Sequence, residues 1–230
     1  MRFLGETLAH RGFPVHAVQL AGHGTRVEDL VGTRWTDWFA SAAAGLKQLG
    51  AEVPRVAVVG MSMGALLALH CAATQPDAVA GLVLCGTPFL LTDSRLRWLP
   101  LVARFRGAEW RARLLPKPNG PDIADPAMRA ASQSYRAMPL AAVLELLRLR
   151  AVVRAELGRV RQPTLLLHGR NDHSVPVTNL ELLRQKLGSR DVETHVLERS
   201  WHVVTVDYDR EEVARLAVAF LDRVEAAPGD

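Results

Sequence analysis

Only two cysteines occur in the 230 residues, Cys71 and Cys85, and each sits inside an apolar run. That placement argues against a disulfide framework and reads as two small buried hydrophobes. No H-E-x-x-H or C-x-x-C spacing is present, so the histidines and acids do not read as a metal centre, and no cofactor is expected. No apolar stretch approaches the length of a membrane span, and Met1-Arg2-Phe3-Leu4-Gly5-Glu6 lacks the apolar core of a secretory signal. The chain therefore reads as cytoplasmic. Internal repeats, low-complexity tracts and nucleic-acid modules are also missing. What remains is an ordinary globular composition, 49% hydrophobic and 23% charged, long enough to bury one core as a single domain over 1–230.

Acidic residues are scarce in one region. Residues 90–161 hold 14 Lys and Arg against 6 Asp and Glu, whereas the rest of the chain is slightly acidic. Nearly all of these cations are arginines. The surplus fits a solvated helix face, or a face that meets anionic lipid or acidic substrates.

Outside that region, short apolar strands alternate with longer helical segments, the pattern of a parallel α/β sheet. A helix is expected over 2–11, a strand over Phe13–Leu20, a helix over Thr33–Leu49 and a strand over Val56–Val59. A helix over Leu66–Ala73 and a buried strand over Ala80–Cys85 follow. From about Phe89 to Arg161 no strand is expected, only amphipathic helices, one of them over Leu96–Phe105. They are punctuated by the Pro-rich stretch 116–121. This insertion is too long for a plain loop and reads as a helical lid over 89–161, between core segments 1–88 and 162–230. Strands at Thr164–Leu167 and Val192–Leu197 and helices at Thr178–Leu187 and Glu211–Val224 complete the reading.

The most informative stretch is Gly60-Met61-Ser62-Met63-Gly64, set between the Val56–Val59 strand and the helix that follows it. A strand turning sharply into a helix through G-x-S-x-G exposes a serine hydroxyl and aims free helix N–H groups at any oxyanion beside it. With 17 glycines in the chain, chance would supply the pentapeptide only about 0.04 times. Ser62 is thus the candidate nucleophile, with the Met63 N–H as an oxyanion donor. Its base should lie in a loop after a late strand. His202, in Ser200-Trp201-His202-Val203, does, whereas His10, His16, His70 and His195 sit on surfaces or inside elements. The orienting acid is expected at Asp172 in His168-Gly169-Arg170-Asn171-Asp172, at the carboxyl end of a strand, where open α/β sheets bind ligands. Asp191, Asp207 and Asp209 are poorer candidates by position.

The order Ser62, Asp172, His202 resembles that of the α/β-hydrolase family. The resemblance is to bacterial carboxylesterases and monoacylglycerol-lipase-like enzymes, and it spans nearly the whole chain. It rests on Gly22-His23-Gly24, the Gly60–Gly64 elbow, the small lid, Gly169-Arg170-Asn171-Asp172 and Ser200-Trp201-His202. It implies an α/β-hydrolase-type, mostly parallel sheet with a helical lid, and cleavage of short- to medium-chain acyl esters or monoglycerides. The departure is at the front. Family members begin with further strands and an oxyanion loop, whereas this sequence starts inside the helix that follows them, as an internal start would. The sheet should then be open between Phe13–Leu20 and Val56–Val59, and activity should be weak, since one lost oxyanion donor costs about 10²–10³ in rate. Met61, Phe89, Leu90 and Leu144 are the candidate substrate-binding residues. The alternatives are acyl transfer on thioester, peptide or lactone bonds, a weakly active or non-catalytic binder of a small apolar ligand, and peripheral lipid contact through the Arg-rich lid.

Overall fold

The computed structural model of the protein describes residues 1–117 and 120–226; Pro118 and Asn119, within the expected Pro-rich punctuation, lie outside the described residues. Helix α1 (Arg2–His10) leads through an irregular stretch and a 3-10 turn to α2 (Trp35–Gly50). Strand β1 (Val56–Met61), α3 (Met63–Thr74) and β2 (Val79–Cys85) follow. The insertion carries α4 (Leu99–Ala103), α5 (Ala108–Ala112), β3 (Leu114–Pro116), α6 (Pro126–Ala131), β4 (Ala137–Pro139) and α7 (Leu140–Glu156). The chain then runs through β5 (Thr164–Gly169), α8 (Asn179–Lys186), β6 (Val192–Leu197) and α9 (Arg210–Ala226).

Strands β1, β2, β5 and β6 form one parallel sheet in that spatial order. Alternate side chains feed two separate cores, as a sheet covered on both faces requires. Leu82, Leu84 and Leu166 pack into the layer of α2, α3, α7 and α8, while Val83, Cys85, Leu165 and Leu167 pack against α1 and α9. The insertion is therefore not wholly a cover. Leu149 and Val153 of α7 are buried in the same cluster as the helix after the elbow.

Three expectations are corrected. Phe13–Leu20 is not a strand: the segment has no regular structure and pairs with no ladder, and Val15 and Val18 are 43% and 39% exposed. The physical reason is the open sheet. β1 is an outer strand, and a cavity of about 760 Å³ separates it from residues 13–18, walled by Leu4, Leu8 and Leu221 on one side and by Leu46, Leu49 and Leu67 on the other. A segment with no strand within hydrogen-bonding reach cannot join a sheet, whatever its β-propensity. The insertion also contains strands after all, the antiparallel pair Leu114–Pro116 with Ala137–Pro139. At three residues each, they are too short to show alternation. Finally, Leu96–Phe105 is no continuous helix but a 3-10 turn at Ser94–Trp98 followed by α4. Pro100 lies in the first turn of α4, where its missing N–H costs nothing, and so begins a helix rather than continuing one.

Candidate active site

Ser62 is the only non-glycine residue with positive φ among the described residues, at φ 53° and ψ −118°. This backbone costs on the order of 1–3 kcal/mol and persists only where the surroundings over-determine it. Here they do. The Ser62 N–H donates to the Cys85 carbonyl on the neighbouring strand at 2.8 Å, and the Ser62 carbonyl accepts from the Ala65 N–H at 2.9 Å. Helix α3 also folds back so closely that a Cβ on Gly60 would stand 2.4 Å from the Gly64 carbonyl oxygen. The two motif glycines are not equivalent, because a Cβ on Gly64 would meet nothing within 4 Å.

The structure brings the candidate serine, histidine and aspartate into one line. His202 Nδ1 lies 2.7 Å from Asp172 Oδ2, and His202 Nε2 lies 2.9 Å from Ser62 Oγ. A carboxylate only accepts, so Nδ1 carries the proton and Nε2 offers its lone pair to the serine hydroxyl. The Asp172 side chain is fully shielded from solvent. Its Oδ1 accepts from the N–H groups of Ser174 and Val175 at 2.9 and 2.8 Å. Burial opposes ionisation of this carboxyl, but hydrogen bonds from His168 and His202, the His202 charge and the Val175 N–H outweigh it. The net effect holds the group well below the usual carboxylate range. By contrast, burial pushes the Cys71 and Cys85 thiols up to about 11 and about 12, which keeps both protonated and poorly nucleophilic. Met63 opens α3, so its amide has no acceptor within the helix.

The remaining candidates scatter. Met61 ends β1, its sulfur accepting from Thr205 Oγ1 at 3.5 Å. Phe89 is buried beneath the Arg154 guanidinium, and Leu144 is buried on α7. Leu90 is exposed, with its backbone clamped by the Asn179 amide. His70 packs edge-on to Trp35 and Phe39 and pairs with Glu156 at 2.7 Å.

Sequence reading missed the residues that hold the loops of Asp172 and His202. Asp122 Oδ2 accepts from the His173 N–H and the Ser174 hydroxyl, each at 3.0 Å, while its carbonyl accepts from the Val203 N–H at 3.1 Å. Asp207 is buried and accepts four backbone N–H groups, those of Ala124, Asp125, Trp201 and Tyr208. Segment 122–125 is thus strapped to the loops of both Asp172 and His202. No local pattern marks either aspartate; only contacts between distant segments do.

The chain matches the family model described as serine aminopeptidase, S33, over residues 2–209. It belongs to that family of α/β-hydrolases. Among relatives of this hydrolase is the thermostable monoacylglycerol lipase of Bacillus sp. (strain H-257), 32% identical over 220 residues, covering 96% of this chain and 84% of the relative. A carboxylesterase of Bacillus subtilis (strain 168) is 26% identical over 98% of the hydrolase and 87% of its own length. A solved structure from work on LipS and LipT, two metagenome-derived lipolytic enzymes, superposes with a TM-score of 0.88 at 30% identity. That likeness covers 97% of the hydrolase and 87% of the solved chain.

Two predictions follow from this geometry. Gly60→Ala drives a methyl into backbone and should cost about 2 kcal/mol or more, a fall in Tm of roughly 4–8 °C, whereas Gly64→Ala should be nearly neutral in the same melt. Asp172 ionises more readily folded than unfolded, so its stabilisation is complete above about pH 4 and is lost as pH falls through its depressed folded value. The Tm gap between wild type and Asp172→Asn should therefore be widest near neutrality and narrow steadily below pH 4; a gap that is flat with pH would contradict the depressed carboxyl.

Proposed function

We propose that the protein is a serine hydrolase that cleaves carboxylic esters, short- to medium-chain acyl esters or monoglycerides, through an acyl-enzyme. The observation that carries this reading is the unbroken hydrogen-bonded line from Ser62 Oγ through His202 to Asp172, with the serine on a strained elbow. In the first step Ser62 Oγ attacks the ester carbonyl while His202 Nε2 takes its proton. The tetrahedral oxyanion leans on the Met63 N–H, and collapse expels the alcohol, to which His202 returns the proton. Water then repeats the sequence on the acyl-enzyme and releases the acid. Asp172 keeps Nδ1 protonated and stabilises the imidazolium throughout. Met61 and Leu90 are assigned to the acyl chain, with Phe89 and Leu144 as the packing behind them. No step needs a metal or an organic cofactor. The lipase and esterase named among the relatives support an ester over a peptide bond.

Hydrolysis of p-nitrophenyl esters of increasing acyl length tests the reading. Ser62→Ala should lower kcat by about 10⁴-fold or more while leaving the fold intact. Equal rates in the two proteins would overturn the reading and favour a ligand-binding role for the apolar cavity that reaches Ser62.

The lid supplies a second element of function, contact with an anionic lipid surface. Trp98, Leu101, Val102 and Phe105 are exposed, Phe105 by 80%, among exposed Arg95, Arg97, Arg104 and Arg106. Apolar tips set in a guanidinium collar match the interface of an anionic bilayer, where each nearby cation contributes about 1 kcal/mol. None of the helices in the described residues is long and apolar enough to cross a membrane. Co-sedimentation with phosphatidylglycerol vesicles should be strong at low salt, weaken as salt rises and be largely lost in Phe105→Asp. Binding that is indifferent to both would exclude this surface.

A further inference from the structure

His168 is the penultimate residue of strand β5, four residues before Asp172, and its side chain is buried together with that carboxylate. Its Nε2 lies 2.9 Å from the Val175 carbonyl oxygen and 3.1 Å from Asp172 Oδ2. A carbonyl oxygen can only accept, so Nε2 must carry the proton, and that one N–H is shared between the carbonyl and the carboxylate. Asp172 Oδ2 is the same oxygen that accepts from His202 Nδ1 at 2.7 Å. Two imidazoles therefore draw on one carboxylate oxygen, while two backbone amides hold the other.

We infer that His168 is a positioning residue for the hydrolytic site: its Nε2–H fixes the Asp172 carboxylate and tempers the charge that the carboxylate presents to His202. The inference rests on the proposed roles of Asp172 and His202. Geometrically, the bond to Val175 ties the 172–175 turn to the end of β5, and the same proton stops Oδ2 from rotating out of line with Nδ1. Electrostatically, a donor on Oδ2 spreads negative charge that would otherwise stabilise the His202 imidazolium. Removing that donor concentrates the charge on His202 and makes it the stronger base.

Other charged groups near the pair have partners of their own. Asp122 is paired with His173 at 2.8 Å, Asp207 is capped by four backbone N–H groups, and Asp209 accepts from the Arg199 N–H and the Ser200 hydroxyl. The Arg129 guanidinium lies over the Trp201 ring, and the Met1 amine faces Thr205. None of these is a partner of His168, so its replacement changes the donor on Asp172 without unpairing another charge.

The test compares the kcat/KM pH profiles of wild type, His168→Leu and His168→Gln, together with histidine ¹⁵N NMR. Loss of the donor in His168→Leu should lower kcat roughly tenfold and move the acid limb upward by about half to one pH unit. His168→Gln, whose amide N–H reaches a similar position, should restore the limb to its wild-type place. An acid limb that stays put in folded His168→Leu, or one that His168→Gln fails to restore, would overturn the inference and leave His168 a packing residue. Should His168→Leu not fold, the wild-type spectrum decides. The His168 Nε2–H resonance should persist and shift at the pH where His202 titrates, and a resonance blind to that titration would refute the coupling. The same spectrum recorded on Ser62→Ala separates the two ideas, because it reads the His168–Asp172–His202 link whether or not Ser62 is the nucleophile.

Discussion

The site depends on one backbone constraint, the positive φ of Ser62. An L-residue does not hold that conformation unaided, and here three features enforce it: the Cys85 carbonyl on the next strand, the first turn of α3, and the close approach of Gly64 to Gly60. Each is a product of the parallel sheet. β1 and β2 must be in register for Cys85 to receive the Ser62 N–H, and α3 must pack down on both strands for the glycine contact to form. The placement of the Ser62 hydroxyl is thus a property of the whole β1–α3–β2 unit, and the backbone strain there is offset by the burial of an almost entirely apolar helix.

The other two members of the line arrive by a different route. Asp172 and His202 lie on loops, and loops are the least self-determined parts of a fold. Their order comes from polar groups held out of water: a carboxylate with four donors at Asp172, a second with four backbone amides at Asp207, and a strap at 122–125 touching both loops. A Cβ on Gly169 would stand 2.0 Å from the Trp201 carbonyl, so the histidine loop lies directly on the end of β5. Replacing either carboxylate would leave several amides unpaired together, which makes such networks all-or-none.

Much of this was legible in the sequence, and the reason differs from element to element. Val56–Val59 and Ala80–Cys85 read as strands because every residue in them is apolar or small, although only the second is buried almost throughout. That Ser62, His202 and Asp172 meet was readable because a strand running through Gly-x-Ser-x-Gly into a helix makes an elbow, and because loops after parallel strands converge on one edge. Phe13–Leu20 misled because β-propensity describes a residue's fitness for a sheet and says nothing about whether a neighbour is there. The short pair at Leu114–Pro116 and Ala137–Pro139 was invisible because three residues carry no period. Asp122, Asp207 and His168 were missed because their meaning lies in hydrogen bonds across the fold; only the four-residue step from His168 to Asp172, both near the end of a strand, hinted at one of them.

The open edge of β1 has a consequence for how the molecule comes apart. The first twenty residues share no ladder with the sheet; they are joined to it by side-chain packing, Leu4 and Leu8 of α1 lying in one buried cluster with Val83 and Cys85 of β2, Leu165 and Leu167 of β5 and the apolar face of α9. Such a segment can open at a lower free energy than the sheet, because it holds none of the ladder hydrogen bonds. Leu4 and Leu8 of α1 line the apolar cavity that reaches Ser62. Opening of α1 would therefore uncover one wall of that cavity while the four-stranded ladder is still paired.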